Sequence, residues 1–293
     1  MTASVPRSVR KPRRGGGRRI ARIEPDPAVV SIEMLRRRSP GKSLSRTDLV
    51  AREEPLEIRV RGRSVAVTMR TPGHDRELAA GFLLSEGLLR RRADLVEIAH
   101  CAAAAAPDNT LNVFLDPAVE LDLARLTRHV FASSSCGLCG KASIDSVHQH
   151  FPPVTHPVTV PARVLAGLPG RMRRVQKTFG QTGGLHAAAI FDANGSLVVL
   201  REDVGRHNAV DKVLGHGFLE RLLPFDAHVL LVSGRASFEI TQKALAARVP
   251  IVCAISAPSS LAVDFARASE QTLVGFLRSG GMNVYTRPDR VAG

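Results

Sequence analysis

Two thiols three positions apart are the most chemically pointed feature of the chain: Cys136 and Cys139, within Ser133-Ser134-Ser135-Cys136-Gly137-Leu138-Cys139-Gly140-Lys141. A Cys-x-x-Cys pair lets one thiolate attack while the other, a turn away, resolves, shares or ligates. Gly137 and Gly140 keep the backbone open to a bulky partner. The hydroxyl residues before the pair suit a loop, and apolar periodicity over 142–150 predicts a helix after it. At such a helix entrance the dipole and Lys141 both favour the thiolate. A disulfide between the two would close a tiny, strained loop and stabilise little. A structural zinc site needs two more ligands, and the chain has no second Cys-x-x-Cys. The spacing leaves redox, sulfur and catalytic-metal roles open. The other two cysteines, Cys101 and Cys253, lie in apolar contexts and read as inert core residues.

Three further polar segments interrupt apolar ones. In Gln181-Thr182-Gly183-Gly184-Leu185-His186 the paired glycines permit close approach of backbone to a ligand, and His186 is a ligand, an acid–base group or a satisfied core histidine. The run 201–209 holds Glu202, Asp203, Arg206, His207 and Asn208, followed by Asp211 and Lys212. A helix cap explains Asp203 but not the Arg-His-Asn group after it. Ser233-Gly234-Arg235-Ala236-Ser237 reads as a loop from a strand into a helix, an anion site made of backbone N–H groups with Arg235 adding charge. Ser256-Ala257-Pro258-Ser259-Ser260 repeats that pattern. Together these loops suggest a phosphate-rich ligand at the strand ends of an open sheet. None is a Walker A or dinucleotide fingerprint, which disfavours ATP hydrolysis and ordinary NAD binding.

The elements that position these loops follow from periodicity. Strands are predicted over 49–60 and 64–70 around Arg61-Gly62-Arg63, then a helix over 75–89 with Leu78, Phe82 and Leu83 on one face. Short strands follow over 95–101 and 111–115, and helices over 118–129 and 142–150. From residue 187 strands and helices alternate: a hairpin over 187–191 and 197–201, helices over 208–214 and 237–248, strands over 228–232 and 251–255. Apolar strands between helices argue for a layered α/β sheet with a smaller N-terminal β-rich portion. The expected divisions are a disordered basic arm over 1–27, the β-rich portion over 28–115 and the α/β domain over 116–293.

The chain of 293 residues carries a formal net charge of +14, unevenly spread. Residues 7–22 hold eight Lys or Arg and no acid. No apolar run follows its arginine pairs, so an export signal is rejected. With few aromatics and a single Tyr there is no stacking platform, and nucleic acid is disfavoured as a partner. No apolar run is long enough to span a bilayer, and the sparse cysteines fit a reducing cytoplasm.

These motifs resemble one family. Ser-Cys-Gly-Leu-Cys-Gly at 135–140, Thr-Gly-Gly-Leu-His-Ala-Ala at 182–188 and Glu-Asp-Val-Gly-Arg-His-Asn-Ala-Val-Asp-Lys at 202–212 are similar to motifs of the FdhD family of formate dehydrogenase accessory sulfurtransferases. Ser-Gly-Arg-Ala-Ser at 233–237, Ser-Ala-Pro-Ser-Ser-Leu-Ala-Val at 256–263 and the stretch 275–285 extend the match. The resemblance implies a cytidine-deaminase-like three-layer α/β/α sandwich, as a homodimer. It implies transfer of persulfide sulfur from a cysteine desulfurase to the bis-molybdopterin guanine dinucleotide molybdenum cofactor needed by formate dehydrogenase. Cys136 is then the persulfide carrier and Cys139 its assistant. The implied cofactor contacts are Phe276, Leu277, Arg278, Ser279, Gly280 and Gly281, with Thr182, Gly183, Gly184, His186, Asp203, Arg206, His207, Ser233 and Arg235 from the loops. Guanine nucleotides are expected to bind as fragments of that cofactor, and no metal is expected to be held by the protein itself. Two alternatives remain beside it. A zinc-dependent nucleobase deaminase would share the fold, but His186-Ala187-Ala188 lacks the required Glu. A non-catalytic cofactor chaperone would share the loops and differ only in whether sulfur moves.

Overall fold

The computed structural model describes residues 26–38, 41–120 and 151–293. In chain order the strands and helices are β1 (Val29–Arg38), β2 (Lys42–Ala51), β3 (Glu54–Val60), β4 (Arg63–Arg70), α1 (Asp75–Ser85), β5 (Leu95–His100) and β6 (Thr110–Leu115). After residue 150 come β7 (Val160–Pro161), α2 (Ala162–Val175), α3 (Lys177–Thr182), β8 (His186–Asp192), β9 (Leu197–Asp203), α4 (Arg206–Leu219) and β10 (His228–Val232). The chain closes with α5 (Phe238–Ala246), β11 (Ile251–Ala254), α6 (Ser260–Ala268), β12 (Thr272–Arg278), β13 (Gly281–Thr286) and β14 (Val291–Ala292).

Strand alternation decides the layering. Successive side chains of a strand point to opposite faces, and in β8, β10 and β11 both sets are apolar. Leu230, Val232, Ala188, Ile190 and Val252 bury one face, and Val229, Leu231, Ala189, Phe191 and Ile251 bury the other. A sheet apolar on both sides has to be covered on both sides. The first face takes α4 through Ala209, Val210, Val213 and Leu214, with α5 and α6 beside it; the second takes α2 through Leu165, Leu168 and Met172. The sheet runs β13-β12-β11-β10-β8-β9, with β10, β11 and β12 parallel and the remaining pairings antiparallel.

A four-stranded sheet, β4-β3-β6-β5, lies on the far side of α1. Leu56, Ile58, Leu111 and Val113 join Leu78 and Leu83 of α1 in the same apolar cluster as α4, so the N-terminal sheet and the larger sheet share one core. The two helices between them touch backbone to backbone. A Cβ on Gly81 would lie 1.8 Å from the Asp211 carbonyl oxygen, and one on Gly215 would lie 1.8 Å from that of Glu77. Only glycine fits at either position.

Two departures from the sequence reading have physical causes. The helix expected over 75–89 stops at Ser85, where Glu86 caps it and Gly87 turns with φ +76°. The strand expected over 49–60 is two strands: residues up to Ala51 pair with β1 in a separate ribbon, and β3 begins at Glu54. Residues 118–120, expected to open a helix, are turn and irregular backbone, and the rest of that helix, the 142–150 helix and the cysteine loop lie outside the described residues.

Ion pairs bind α1 to α4 and β9. Arg201 reaches Glu77 at 2.5 and 2.7 Å, and His216 lies 3.0 Å from the same carboxylate. Burial alone would raise the Glu77 pKa, but hydrogen bonds from Arg201 and His74 outweigh it and bring the value from 4.5 down to about 2. The folded carboxylate is the more acidic one, so its stabilisation is complete above pH 4.5 and is lost as pH falls toward 2. Glu77→Gln should therefore lower stability at neutral pH by about 1–3 kcal/mol, the range for a charged hydrogen bond. It should also flatten the acid limb of a stability–pH profile measured by urea unfolding. An unchanged acid limb would show that the cluster contributes nothing.

Candidate functional site

The polar loops converge because the strands carrying them end at one edge. β8 is antiparallel to both β9 and β10, so His186 at its start meets Asp203 at the end of β9 and lies near Val232 at the end of β10. The Ser233 hydroxyl accepts from the Ala187 N–H at 2.9 Å, and the Ser233 N–H donates to the Ala187 carbonyl at 2.9 Å. Further along, Ala236 bridges to Pro258, and Phe276 N–H donates to the Ser256 carbonyl. The 233–237 and 256–260 loops thus form one continuous rim.

A cleft of about 570 Å³ opens on this edge, lined by Gly183, Gly184, Leu185, His186, Val204, Ser233 and Ile255, and on its other wall by Arg173, Gln176 and Phe179. Glu202 builds that wall by accepting the Thr178 and Phe179 N–H groups, which caps α3. Gly183 ends α3 in the left-handed region at φ +67°. Arg173 stacks on Phe179 at 4.3 Å, holding a cation at the mouth.

Arg206 and His186 flank Gly234: a Cβ there would meet the imidazole Nδ1 at 3.4 Å and the Arg206 Cβ at 3.7 Å. The Nε of Arg206 is buried and has no hydrogen-bond partner among the described residues. His207 lies 3.3 Å from the Ser237 hydroxyl and 3.9 Å from Glu239. Burial, then the positive charge of Arg206, lowers the pKa of His186. Burial, then Lys243 and Arg206, lowers that of His207 to about 4. Both imidazoles are neutral at pH 7, so each offers one donor and one acceptor beside a guanidinium.

Two sequence-expected contacts are corrected. Asp203 is fully buried and is used by the protein itself. Its carboxylate takes Lys212 at 2.7 Å, Gly205 N–H at 2.8 Å, Asn208 at 3.0 Å and Thr71 N–H at 3.2 Å, leaving nothing for a ligand. Leu277 is fully buried in the core beside Val274. Its alternating neighbours Phe276 and Arg278 are exposed, as are Ser279, Gly280 and Gly281 in the β12–β13 turn. That turn joins β12 to β13 and does not line the cleft. Thr182 closes its own loop, accepting Gly184 N–H and donating to the Thr178 carbonyl. Arg235 is exposed on the rim. Cys136 and Cys139 lie outside the described residues. Arg173, Gln176, Phe179, Val204 and Ile255 are not anticipated as lining by the sequence; the apolar spacing of Leu165, Leu168 and Met172 is the available sign of the wall to which the first three belong.

A larger cleft, about 830 Å³, lies at the start of α1 among Arg52, Arg70, His74, Arg92 and His100. Size is the lesser criterion here. Its buried cation Arg70 is neutralised by Asp75 at 2.9 Å and Glu54 at 3.4 Å, whereas the Nε of Arg206 has no partner among the described residues. Among the described residues no three metal-ligating side chains converge. None of their helices is long and apolar enough to cross a membrane.

The model of the FdhD/NarQ family matches residues 51–292. The chain belongs to the FdhD/NarQ family. Among its relatives, the sulfur carrier protein FdhD of Mycobacterium tuberculosis is 52% identical over 266 residues, covering 88% of this chain and 96% of that one. The sulfur carrier protein FdhD of Streptomyces coelicolor is 53% identical over 259 residues, 86% of this chain and 92% of that one. The crystal structure of a proposed formate dehydrogenase accessory protein from Desulfotalea psychrophila superposes with a TM-score of 0.72 at 26% identity, covering 90% of this chain and all of that one. The FdhD/NarQ match takes in every polar segment singled out above, and it begins after the basic arm and most of the β1–β2 ribbon.

Proposed function

We propose that this chain is a cytoplasmic sulfur carrier. Cys136 takes the terminal sulfur of a cysteine desulfurase persulfide and passes it to the molybdenum of the bis-molybdopterin guanine dinucleotide cofactor required by formate dehydrogenase. In the first step the Cys136 thiolate attacks the terminal sulfur of the donor; the new S–S bond forms as the donor S–S bond breaks, and the donor leaves as a thiolate. In the second, the Cys139 thiolate attacks the inner sulfur of the Cys136 persulfide. This forms the Cys136–Cys139 disulfide and releases the outer sulfur as hydrosulfide, at the oxidation level of a sulfido ligand. A cytosolic dithiol then reduces the disulfide, which is the labile kind that a strained loop provides.

Family membership and the names of the relatives support the carrier role. The observation that carries the ligand class is Arg206, whose buried Nε lacks a partner among the described residues beside neutral His186 and the open Gly234. An anionic oxygen fits there, and pyrophosphate supplies several. The helices on both faces of the six-stranded sheet support a cytidine-deaminase-like three-layer sandwich for this part of the chain.

Arg206→Ala is expected to weaken GDP binding by about 1–3 kcal/mol, the range for a charge-assisted hydrogen bond, without nucleotide hydrolysis in either protein. Titration calorimetry reads this directly. Equal affinities would remove Arg206 from the site. Peptide mapping after incubation with desulfurase and cysteine tests the chemistry: the added sulfur should reside on the Cys136 peptide.

A further inference from the structure

The stretch 151–191 contains Arg163, Arg171, Arg173, Arg174 and Lys177 and no Asp or Glu. Eleven residues carry an α-helix through about three turns, so Arg163 and Arg174 stand on one line of α2, opposite the buried Leu165, Leu168 and Met172. Arg163, Arg173, Arg174 and Lys177 are exposed. None of the four has an ion-pair partner among the described residues. Arg171 differs: it turns inward to the Gly195 carbonyl. The ridge begins at the cleft, where Arg173 lies over Phe179. From there it follows the outer surface of α2 for roughly 16 Å, at 1.5 Å per residue.

These exposed cations, three on α2 and Lys177 at the start of α3, have no acid among the described residues to offset their mutual repulsion. Their field acts outward, on whatever approaches the cleft. The ridge is convex and lies beside the cleft, so a pyrophosphate seated inside cannot span it. Four cations are also few for duplex nucleic acid, whose binders neutralise about six to ten phosphates. An acidic protein surface matches both the length and the solvated character of the charges.

We propose that the α2 ridge is the docking surface for the sulfur-donating protein, which meets it through an acidic patch beside its persulfide. This rests on the sulfur-carrier reading above. In that reading the acceptor is a cofactor whose pyrophosphate meets Arg206 in the cleft, and the partner that brings sulfur as a protein is the donor.

The test compares the full chain with an Arg163→Gln/Arg174→Gln/Lys177→Gln variant, which leaves Arg173 in the cleft wall untouched. Purified cysteine desulfurase and cysteine supply sulfur, and quenched reactions followed by mass spectrometry give the initial rate of sulfur loading on Cys136. Salt is varied from about 20 mM to about 500 mM, shortening the screening length from roughly 20 Å to roughly 4 Å. The variant is expected to load about tenfold more slowly at low salt, with the two rates converging at high salt. Equal low-salt rates, with Cys136 loaded in both proteins, would overturn the ridge and leave the carrier reading standing. Salt-sensitive binding of duplex DNA that the variant loses, with its loading rate unchanged, would assign the ridge to nucleic acid instead. Failure of the unmodified chain to load at any salt would overturn the carrier reading together with this one.

Discussion

Cys136→Ala is expected to reduce maturation of the client formate dehydrogenase to the level seen without this protein, while GDP binding and thermal stability stay close to those of the unaltered chain. In the proposed mechanism the effect is all-or-none, because the Cys136 thiolate is the atom to which sulfur attaches and Cys139 is assigned to its release. Cys253 is an internal control. It is fully buried in β11, and burial pushes its thiol well above the ordinary range, so it is neither accessible nor ionised. Cys253→Ala should leave sulfur loading intact. Cys139→Ala separates the two steps: loading of Cys136 should persist, while release to the acceptor slows. Client activity, read with the loaded mass of the carrier, checks all three. Full client activity in Cys136→Ala, or sulfur found on the Cys253 peptide, would sink the assignment.

The legible parts of the chain were those in which local pattern and tertiary environment agree. β8, β10 and β11 are apolar on both faces and flanked by polar loops, and they emerged within a residue or two of the expected bounds. The β1–β2 ribbon gave no such signal, because Ile32, Leu35, Leu44 and Leu49 are exposed on it and no buried face imposes an alternation. α2 is not legible in the sequence although Leu165, Leu168 and Met172 have helical spacing: Gly167, Pro169 and Gly170 interrupt that pattern, and only packing against the sheet overrides them. The site shows the same division. Glycine pairs and strand-end serines are legible as loops at strand ends, since a loop's chemistry is local. Asp203 looked equally like a ligand, yet its partner Thr71 is 132 residues away in sequence. Spacing along the chain holds no record of that contact. Leu277 was carried along with its exposed neighbours, though the alternation within β12 turns it into the core.

The same buried network carries the largest effect expected on stability. Lys212 and Asp203 are about 1% and 0% exposed, and their charged atoms are 2.7 Å apart. Lys212 also donates to the Thr71 carbonyl at 2.8 Å, while Asn208 ties Asp203 to the Met69 carbonyl of β4. The pair thus holds β9, the start of α4 and the end of the N-terminal sheet together, and it fixes the Gly205 turn from which Arg206 and His207 project. Lys212→Ala removes the counter-charge and leaves a carboxylate in a dry interior, which costs about 3–5 kcal/mol. That is a large part of a typical domain's stability of about 5–15 kcal/mol, and it corresponds to a fall in Tm of roughly 6–20 °C. Asp203→Asn/Lys212→Met gives the sharper measurement. Asn keeps an oxygen for the Gly205 and Asn208 donors, Met keeps most of the lysine volume, and no charge is stranded. The double variant should therefore be more stable than Lys212→Ala, with a coupling energy of about 2 kcal/mol or more in the cycle completed by Lys212→Met and Asp203→Asn. Urea unfolding at neutral pH measures each corner. If the double variant were no more stable than Lys212→Ala, the stranded charge would not be the cause, and the network's role would lie in packing instead.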